Sequence, residues 1–475
     1  MRRTCLLSAI LFIALASVSD TTVANAVARA TVHFEVPMTA IDLGAERAQN
    51  SPMLAVDPQD DRFVAAAGRV DGPSFDCQLH LSGSRGRGWV PVRPVQRLPR
   101  RVERCYAPEV AFDGDGVLYY LFAGLRGRGN EPVGAFLTSS KDRGRSFSVP
   151  RRVMGPGRYM VRMVIDPRHG DRGRLHLVWV EPGAPPALGG FSSSPNRILA
   201  SHSDDGGTTF SAPVEVSERH RSRVVAPAVA VGATGRVHVA YYDLGDDAVD
   251  FQGLEGPPWE GTWSVVTSTS TDGGASYRRH TVVDAQMVPT GRVMLIFTMA
   301  GPALATGTGG RAYVAWPDAR SGDWDVLLRR SFDEGSSWSG LRRVNDDPVG
   351  NGRHQYLPRL SVSPNGRLDV VYYDRRADPS NVLNQVSYTF SGDKGRSFAP
   401  AVTLTSEPSD TRTGPRYPVA SAVGLVDPGS RLGLVSSSTG ALAAWTDTRT
   451  PHPGSLHQDV FTATVRVRGA QQERR

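Results

Sequence analysis

The segment SKDRGRSF, residues 140–147, decides the fold because versions of it recur along the chain. The pattern Ser-x-Asp-x-Gly-x-x-aromatic returns at 203–210, 270–277, 331–338 and 391–398, as SDDGGTTF, STDGGASY, SFDEGSSW and SGDKGRSF. A sixth copy, SGSRGRGW at 82–89, has Ser84 in place of the aspartate. Successive copies begin 58, 63, 67, 61 and 60 residues apart. This period is long enough for four short strands, and it predicts a repeat architecture.

The residue types of this motif suit a tight turn between two strands. Serine and aspartate side chains hydrogen-bond nearby backbone N–H groups, glycine accepts a positive φ, and the aromatic ring buries apolar surface where the next strand begins. We therefore interpret the motif as a structural turn between strands three and four of each repeat. Its structural residues are Ser140, Asp142, Gly144, Ser203, Asp205, Gly207, Ser270, Asp272, Gly274, Ser331, Asp333, Gly335, Ser391, Asp393 and Gly395.

A second pattern lies upstream of the motifs: an apolar run, a turn with glycine, then an aromatic-rich run, as in YLPRLSVSPNGRLDVVYYD at 356–374. These runs read as strands one and two of a four-stranded blade. With 50 glycines and 34 prolines among 475 residues, and no long helical periodicity, an all-β fold is favoured. Counted in this way, seven units begin near Ser51, Tyr106, Tyr159, Val225, Val293, Tyr356 and Tyr417.

The two ends of the chain complement each other. The last unit has no motif and no fourth strand, while TVHFEVPMTAIDL, from Thr31, reads as an outer strand without its own blade. Pairing them would close a ring and remove exposed sheet edges. We predict a β-propeller of four-stranded blades, with seven favoured and six possible, closed by an N-terminal strand.

The N-terminus has the order of a secretory signal. Arg2 and Arg3 precede an apolar run at 6–16 that is too short to cross a bilayer, and small residues follow it. We predict a signal peptide at 1–26, with cleavage possible at 30, then a single propeller at 31–468 and a short polar tail at 469–475. The protein is expected to be secreted, to the extracellular space or the periplasm. In such a chain Cys77 and Cys105 would form a disulfide, with two buried free thiols as the alternative.

Charge and spacing exclude several function classes. The net charge is +7, but 52 of the 54 basic residues are arginines, and no Lys/Arg-rich tail or basic-aromatic stripe points to nucleic acid. No His/Cys spacing fits zinc, and no calcium, phosphate or dinucleotide loop is present. We expect a monomer with no metal, no cofactor and no membrane span.

The repeated motif resembles that of the Asp-box (BNR-repeat) propellers, whose best-known members are the sialidases. The resemblance covers about residues 31–468. It implies arginines around a substrate carboxylate, a tyrosine nucleophile activated by a glutamate, and an aspartate acid/base. The chain departs from the sialidases in having seven units rather than six and in lacking Arg-Ile-Pro. Asp-box propellers also include polysaccharide lyases, sorting receptors and assembly factors, so fold does not fix function.

A propeller binds ligands near its axis, on the face formed by the loops that enter strand one and the loops between strands two and three. Planar guanidinium groups there would suit a carboxylated ligand. The candidate ligand-binding residues are Arg162, Arg292, Arg353, Arg359, Arg376, Arg416 and His354. The candidate catalytic residues are Tyr356 or Tyr417 as nucleophile and Asp243 or Asp374 for proton transfer.

An aromatic-x-Asp-x-Arg pattern after strand two recurs at 316–320, 372–376 and 445–449, which favours a structural ion pair over a catalytic one. Three functions remain open. The first is a sialidase-like protein that binds an acidic glycoside, with or without hydrolysing it. The second is a non-catalytic glycan or protein recognition module. The third is a polysaccharide lyase, in which His354 and Tyr356 would supply the base.

Overall fold

The computed structural model describes residues 30–37, 47–128, 130–169, 173–183, 195–248, 258–291, 300–410, 412–414, 429–449 and 458–467. These ranges contain β-strands and no α-helix. The strands form seven antiparallel sheets arranged in a ring, a seven-bladed β-propeller. The predicted fold class is confirmed. The predicted signal peptide at 1–26 and tail at 469–475 lie outside the described residues.

Blades 1 to 4 each contain four strands in consecutive order. Blade 1 consists of β2 (Ala48–Asp57), β3 (Asp60–Gly72), β4 (Asp76–Ser82) and β5 (Val90–Val92). Blade 2 consists of β6 (Arg104–Phe112), β7 (Leu118–Arg126), β8 (Glu131–Ser140) and β9 (Arg151–Met154). Blade 3 consists of β10 (Tyr159–Asp166), β11 (Arg174–Pro182), β12 (Asn196–Ser203) and β13 (Val214–Glu215). Blade 4 consists of β14 (Val224–Val231), β15 (Val237–Asp243), β16 (Trp263–Ser270) and β17 (Arg279–Met287).

The remaining blades follow the same order until the last. Blade 5 consists of β18 (Ala303–Gly307), β19 (Arg311–Asp318), β20 (Asp325–Ser331) and β21 (Arg342–Arg343). Blade 6 consists of β22 (Gln355–Val362), β23 (Leu368–Asp374), β24 (Leu383–Ser391) and β25 (Val402–Thr403), and the short β26 (Ser409–Asp410) also pairs with β24. Blade 7 consists of β27 (Gly433–Ser437), β28 (Gly440–Asp447), β29 (Asp459–Val467) and β1 (Ala30–Pro37).

The two ends of the chain close the ring within blade 7. Strand β1 pairs antiparallel with β29, in a register that runs from Ala30 opposite Val467 to Pro37 opposite Phe461. The N-terminal segment therefore supplies the outer strand that the last unit lacks, as the sequence predicted.

The first strand of each blade lies innermost. Around the ring each first strand contacts the first strand of the next blade, and β27 contacts β2. The second strands are buried on both faces, which explains their continuous apolar and aromatic character. Every residue of β15, β23 and β28 is buried, and so is every residue of β19 after the first, Arg311.

The five motif copies at 140–147, 203–210, 270–277, 331–338 and 391–398, here called the motif turns, share one geometry. In each, the serine hydroxyl donates to the aspartate over 2.7–2.8 Å and accepts from the glycine N–H over 2.7–2.8 Å. The aspartate also accepts from the backbone N–H (2.9–3.0 Å) and the hydroxyl (2.5–2.7 Å) of the Ser or Thr six residues after the first serine. The motif therefore stabilises a turn.

The motif glycine also contacts the preceding blade. Gly207 has a φ of +81°, and a Cβ there would lie 2.3 Å from a methyl group of Leu137 in blade 2. Gly274 has a φ of +87°, and its Cβ would lie 2.9 Å from the ring of His176 in blade 3. Both the backbone conformation and the contact between blades require glycine.

Two of the predicted blade starts, near Val293 and Tyr417, lie outside the described residues. The first described strands of blades 5 and 7 are β18 and β27. The start near Tyr417 followed an aromatic that resembled Tyr356, but β27 itself reads GLVSS, without an aromatic. The other five starts agree within about three residues, which is the usual uncertainty of such boundaries.

A disulfide joins Cys77 in β4 to Cys105 in β6, with 5.5 Å between the Cα atoms. It links the third strand of blade 1 to the innermost strand of blade 2. The crosslink therefore connects two neighbouring blades.

Candidate functional site

Five of the innermost strands carry the same backbone irregularity. Ser51, Ala107, Met160, Ala226 and Leu357 have φ angles of 53°, 47°, 52°, 55° and 54°, and the pairing with the second strand shifts at each of them. In four of the five, a proline follows. Proline lacks an N–H and is tolerated on an edge strand, such as one that faces a channel.

These β-bulges turn the residue two positions further on toward the axis. The residues at that position are Met53, Glu109, Arg162, Ala228 and Arg359, and all five line one axial cavity of about 90 Å³. Blade 5 contributes 301–304, and Ser430 and Arg431, just before β27, complete the lining. All seven blades therefore meet at this cavity.

Glu109 holds two of the three arginines that line the cavity. The side chain is buried, and its oxygens accept hydrogen bonds from Arg162 (3.3 Å), from the backbone N–H of Met163 (3.2 Å) and from Arg431. Arg431 also donates to the carbonyl oxygens of Ser51 and Pro108. Burial lowers the pKa of Arg431 to about 10, although the neighbouring Glu109 opposes this shift.

Arg359 is the third arginine, and its charge is not neutralised by a direct ion pair. Its Nε is buried and has no hydrogen-bond partner among the described residues. Burial lowers the pKa of Arg359, Glu109 opposes that shift, and the Arg162 cation adds to it. Among the described lining residues, three guanidinium groups and one carboxylate leave two net positive charges. The arrangement favours the binding of an anion.

The cavity includes part of the predicted ligand-binding set. Arg162 and Arg359 line it, while Arg292, Arg416 and Tyr417 lie outside the described residues. Sequence reasoning missed Glu109 and Arg431. Glu109 follows the proline of a strand-one bulge, as Arg359 does, and that shared position is the signal that identifies it.

The nucleophile hypothesis for Tyr356 predicted a carboxylate beside its hydroxyl. The hydroxyl instead accepts hydrogen bonds from Asn384 (2.6 Å) and Arg375 (3.1 Å), and the Arg375 guanidinium also lies 5.0 Å from the centre of the ring. Tyr356 does not line the axial cavity. The predicted carboxylate partner is therefore replaced by an amide and a cation, and a catalytic role for Tyr356 stays a prediction.

Asp374 is tied into a structural network rather than presented to a ligand. It is buried and accepts hydrogen bonds from the Arg376 Nε (2.6 Å), the Ser387 hydroxyl (2.7 Å) and the Gln355 amide (3.2 Å). Arg376 reaches on to Asp346 at 2.6 Å and not to the axis. Neither residue is among those that line the axial cavity, and their predicted roles stay predictions.

Asp243 has a comparable structural partner. It is buried and pairs with Arg221 at 2.6 Å. The recurring Asp-x-Arg pattern also forms ion pairs in blades 5 and 7, between Asp318 and Arg320 at 2.6 Å and between Asp447 and Arg449 at 3.0 Å. The structural interpretation of that pattern agrees with these contacts, and the acid/base role of Asp243 and Asp374 is not supported by them.

The loop that enters β22 carries Arg353 and His354 at the rim of blade 6. The imidazole of His354 stacks on Trp324 of blade 5, with ring centres 4.3 Å apart and planes 12° apart. Its Nδ1 accepts the Trp324 backbone N–H at 3.3 Å. Burial, together with the Arg375 cation, lowers the pKa of His354.

The described residues also bear on metal binding and on membrane crossing. Among the described residues, no group of three or more His, Cys, Asp or Glu side chains is arranged to hold a metal ion. No helix in that part of the chain has the length and apolar character needed to cross a bilayer.

Comparison with known proteins gives fold likenesses only. No protein-family model and no curated protein matches the chain. A protein of unknown function from Dyadobacter fermentans is 14% identical over 92% of this chain and 99% of its own, with a TM-score of 0.49. The Hadza microbial sialidase Hz136 is 14% identical over 88% of this chain and 66% of its own, with a TM-score of 0.44. A GH93 α-L-arabinofuranosidase of Fusarium graminearum is 14% identical over 79% of this chain and 96% of its own, with a TM-score of 0.44.

Proposed function

We propose that the protein recognises the carboxylate of an acidic glycan in the axial cavity. The observation that carries the proposal is the convergence of Arg162, Arg359 and Arg431 on a cavity whose only described acidic lining residue is Glu109. A ligand carboxylate would reduce the excess positive charge and supply acceptors for Arg359.

Recognition is favoured over hydrolysis because Glu109 is already engaged. Its oxygens accept from Arg162, Arg431 and a backbone N–H, so the carboxylate is not free to transfer protons to a glycosidic bond. A screen of the purified protein with fluorogenic sialosides, uronides and neutral glycosides distinguishes the two. We expect binding without turnover, and turnover that is lost in Tyr356→Phe would overturn this part of the proposal.

The proposal includes membership of the Asp-box propellers and export from the cell. The repeated Ser-Asp-Gly hydrogen bonds of the motif turns support the first. The disulfide between Cys77 and Cys105 supports the second, because such crosslinks persist in oxidising compartments.

Calorimetric titration with glucuronate, N-acetylneuraminate, sulfate and glucose tests the binding site. We expect both carboxylated sugars to bind and glucose not to bind. Arg359→Gln should weaken carboxylate binding about 10- to 100-fold, the effect of losing one charge-assisted hydrogen bond of about 1.5–3 kcal/mol.

Arg219→Gln is the matched control, because the Arg219 side chain is 91% exposed and pairs with Glu215 on the surface. It should bind like the wild type. Equal affinity in Arg359→Gln and wild type would refute the axial site, and tight binding of sulfate without binding of either sugar would make it a site for inorganic anions.

A further inference from the structure

The axial cavity is too small for a whole sugar. Its volume of about 90 Å³ is below the roughly 150 Å³ of an apolar cavity that accommodates benzene, and each water takes about 30 Å³. A carboxylate group fits in this space, but a pyranose ring does not. The rest of a glycan bound there must lie outside the cavity, on a face of the propeller.

Strand β22 links the cavity to one face. Arg359 lines the cavity, and Tyr356 lies three residues earlier, near the start of the strand. At about 3.3 Å per residue the two Cα atoms are at most roughly 10 Å apart. The start of β22, where Tyr356 lies, is therefore within reach of a sugar ring attached to a carboxylate held at Arg359.

An aromatic cluster surrounds Tyr356 at that end. The stacked Trp324 and His354 rings form one part, and the Trp324 indole meets the Tyr356 ring edge-on, with centres 5.7 Å apart and an angle of 88°. All three side chains are half-buried, whereas aromatics of the second strands such as Trp316 and Tyr372 are fully buried. The cluster joins loops of blades 5 and 6 and keeps part of its ring surface accessible.

The Tyr356 hydroxyl and the His354 imidazole can each donate a hydrogen bond to a ligand. The Tyr356 oxygen already accepts from Arg375 and Asn384, which leaves its O–H to donate. Because the His354 Nδ1 accepts from the Trp324 backbone, the ring proton of neutral His354 is assigned to Nε2, which can also donate. Such a surface suits a ligand that presents an apolar ring face together with acceptor oxygens.

We infer that Trp324, His354 and Tyr356 form a stacking subsite for the pyranose ring attached to the acidic sugar whose carboxylate occupies the axial cavity. This inference rests on the proposed function. The ring's C–H face packs on the accessible aromatic surface, and its oxygens accept from Tyr356 and His354. The acidic sugar binds at the axis, and the neighbouring sugar determines which linkage is preferred.

The test compares glucuronic acid and N-acetylneuraminic acid with the disaccharides in which each is linked to galactose. In the wild type, the linked galactose should tighten binding about 10-fold. Trp324→Ala should abolish that gain and leave monosaccharide affinity unchanged, while Trp324→Phe should retain most of it. Arg359→Gln should weaken the binding of all four ligands.

Phe332→Ala is the matched control, because Phe332 is a 46% exposed aromatic in a motif turn. His354→Ala is a second variant if Trp324→Ala lowers the unfolding temperature. The subsite is overturned if linked galactose still tightens binding by the wild-type factor in both Trp324→Ala and His354→Ala.

Failure of the proposed function gives a different result. Monosaccharide binding that is absent, or indifferent to Arg359→Gln, overturns the axial site. Disaccharide binding that depends on Trp324 but not on Arg359 then supports the subsite alone, and the absence of all binding overturns both.

Discussion

The motif aspartates act through the donors that surround them. The Ser146 hydroxyl and N–H and the Ser140 hydroxyl hold the pKa of Asp142 at about 2 instead of 3.8. In Asp272 burial opposes the shift, but the hydroxyls of Ser276 and Ser270 outweigh it and the pKa is again about 2. Each aspartate is therefore more acidic in the folded chain than in the unfolded chain.

This difference predicts a loss of stability in acid. A carboxyl group with a lowered folded pKa contributes stability above its unfolded value of 3.8, and the contribution disappears as the pH falls toward about 2. Thermal unfolding between pH 7 and pH 2 should show a falling midpoint below pH 4. Ser146→Ala removes the hydroxyl that contributes most to the lowered pKa of Asp142, so it should reduce the dependence of the midpoint on pH. An unchanged dependence would contradict the role given to this hydrogen bond.

Single residues also show how far the sequence predicts the site. Arg162 and Arg359 were predicted as ligand contacts because the sequence placed them in the loops that enter strand one. They lie within β10 and β22, and both line the axial cavity. Glu109 and Arg431 were missed because the bulge that orients a side chain inward is a backbone property. The partners of Tyr356 come from neighbouring parts of blade 6, at positions that one strand's sequence does not reveal.

The turn at 82–89 shows which parts of the motif depend on one another. Ser82 accepts from the Gly86 N–H at 2.9 Å, as in the other copies. The aspartate is replaced by Ser84, and the position of its hydroxyl partner is occupied by Gly88. All five complete motifs have Ser or Thr six residues after the first serine, where this copy has Gly88. The aspartate and its hydroxyl partner are therefore present together or absent together.

Restoring both groups should stabilise this turn. Ser84→Asp with Gly88→Ser recreates the aspartate–hydroxyl hydrogen bond, which contributes about 1–2 kcal/mol. A Cβ at Gly88 meets nothing closer than 4.0 Å, so the serine has space. Denaturant unfolding of both single variants and the double variant measures the coupling. Purely additive effects would show that the two groups do not cooperate.

At the level of strands, repetition made the fold predictable. Blades 2, 3, 4 and 6 were placed correctly because the motif turn fixes strands three and four, and an aromatic-rich second strand precedes them. The predicted start of blade 7, near Tyr417, lies outside the described residues and stays a prediction. This blade has no motif turn, and its first described strand, β27, has no aromatic. In blade 5 the first strand, β18, has only five residues, ALATG, and is a weak strand signal on its own.

The whole ring depends on contacts that are distant in sequence. The disulfide joins blade 1 to blade 2. Strand β1, the first described strand, pairs with β29, the last, and β27 contacts β2. The axial cavity needs all seven innermost strands in place, because Glu109 of blade 2 holds Arg431 beside blade 7. Opening the ring should therefore disturb ligand binding as well as stability.

Removal of β1 tests this coupling. Deletion of residues 30–37 leaves the N–H and C=O groups of one edge of β29 unpaired, and an exposed edge of this kind promotes association between chains. We expect a lower unfolding midpoint, concentration-dependent aggregation in light scattering and weaker carboxylate binding. A synthetic peptide ATVHFEVP should restore the midpoint in part by pairing with β29, while a scrambled peptide should not. A deleted protein that stays monomeric with an unchanged midpoint would show that β1 does not close the ring in solution.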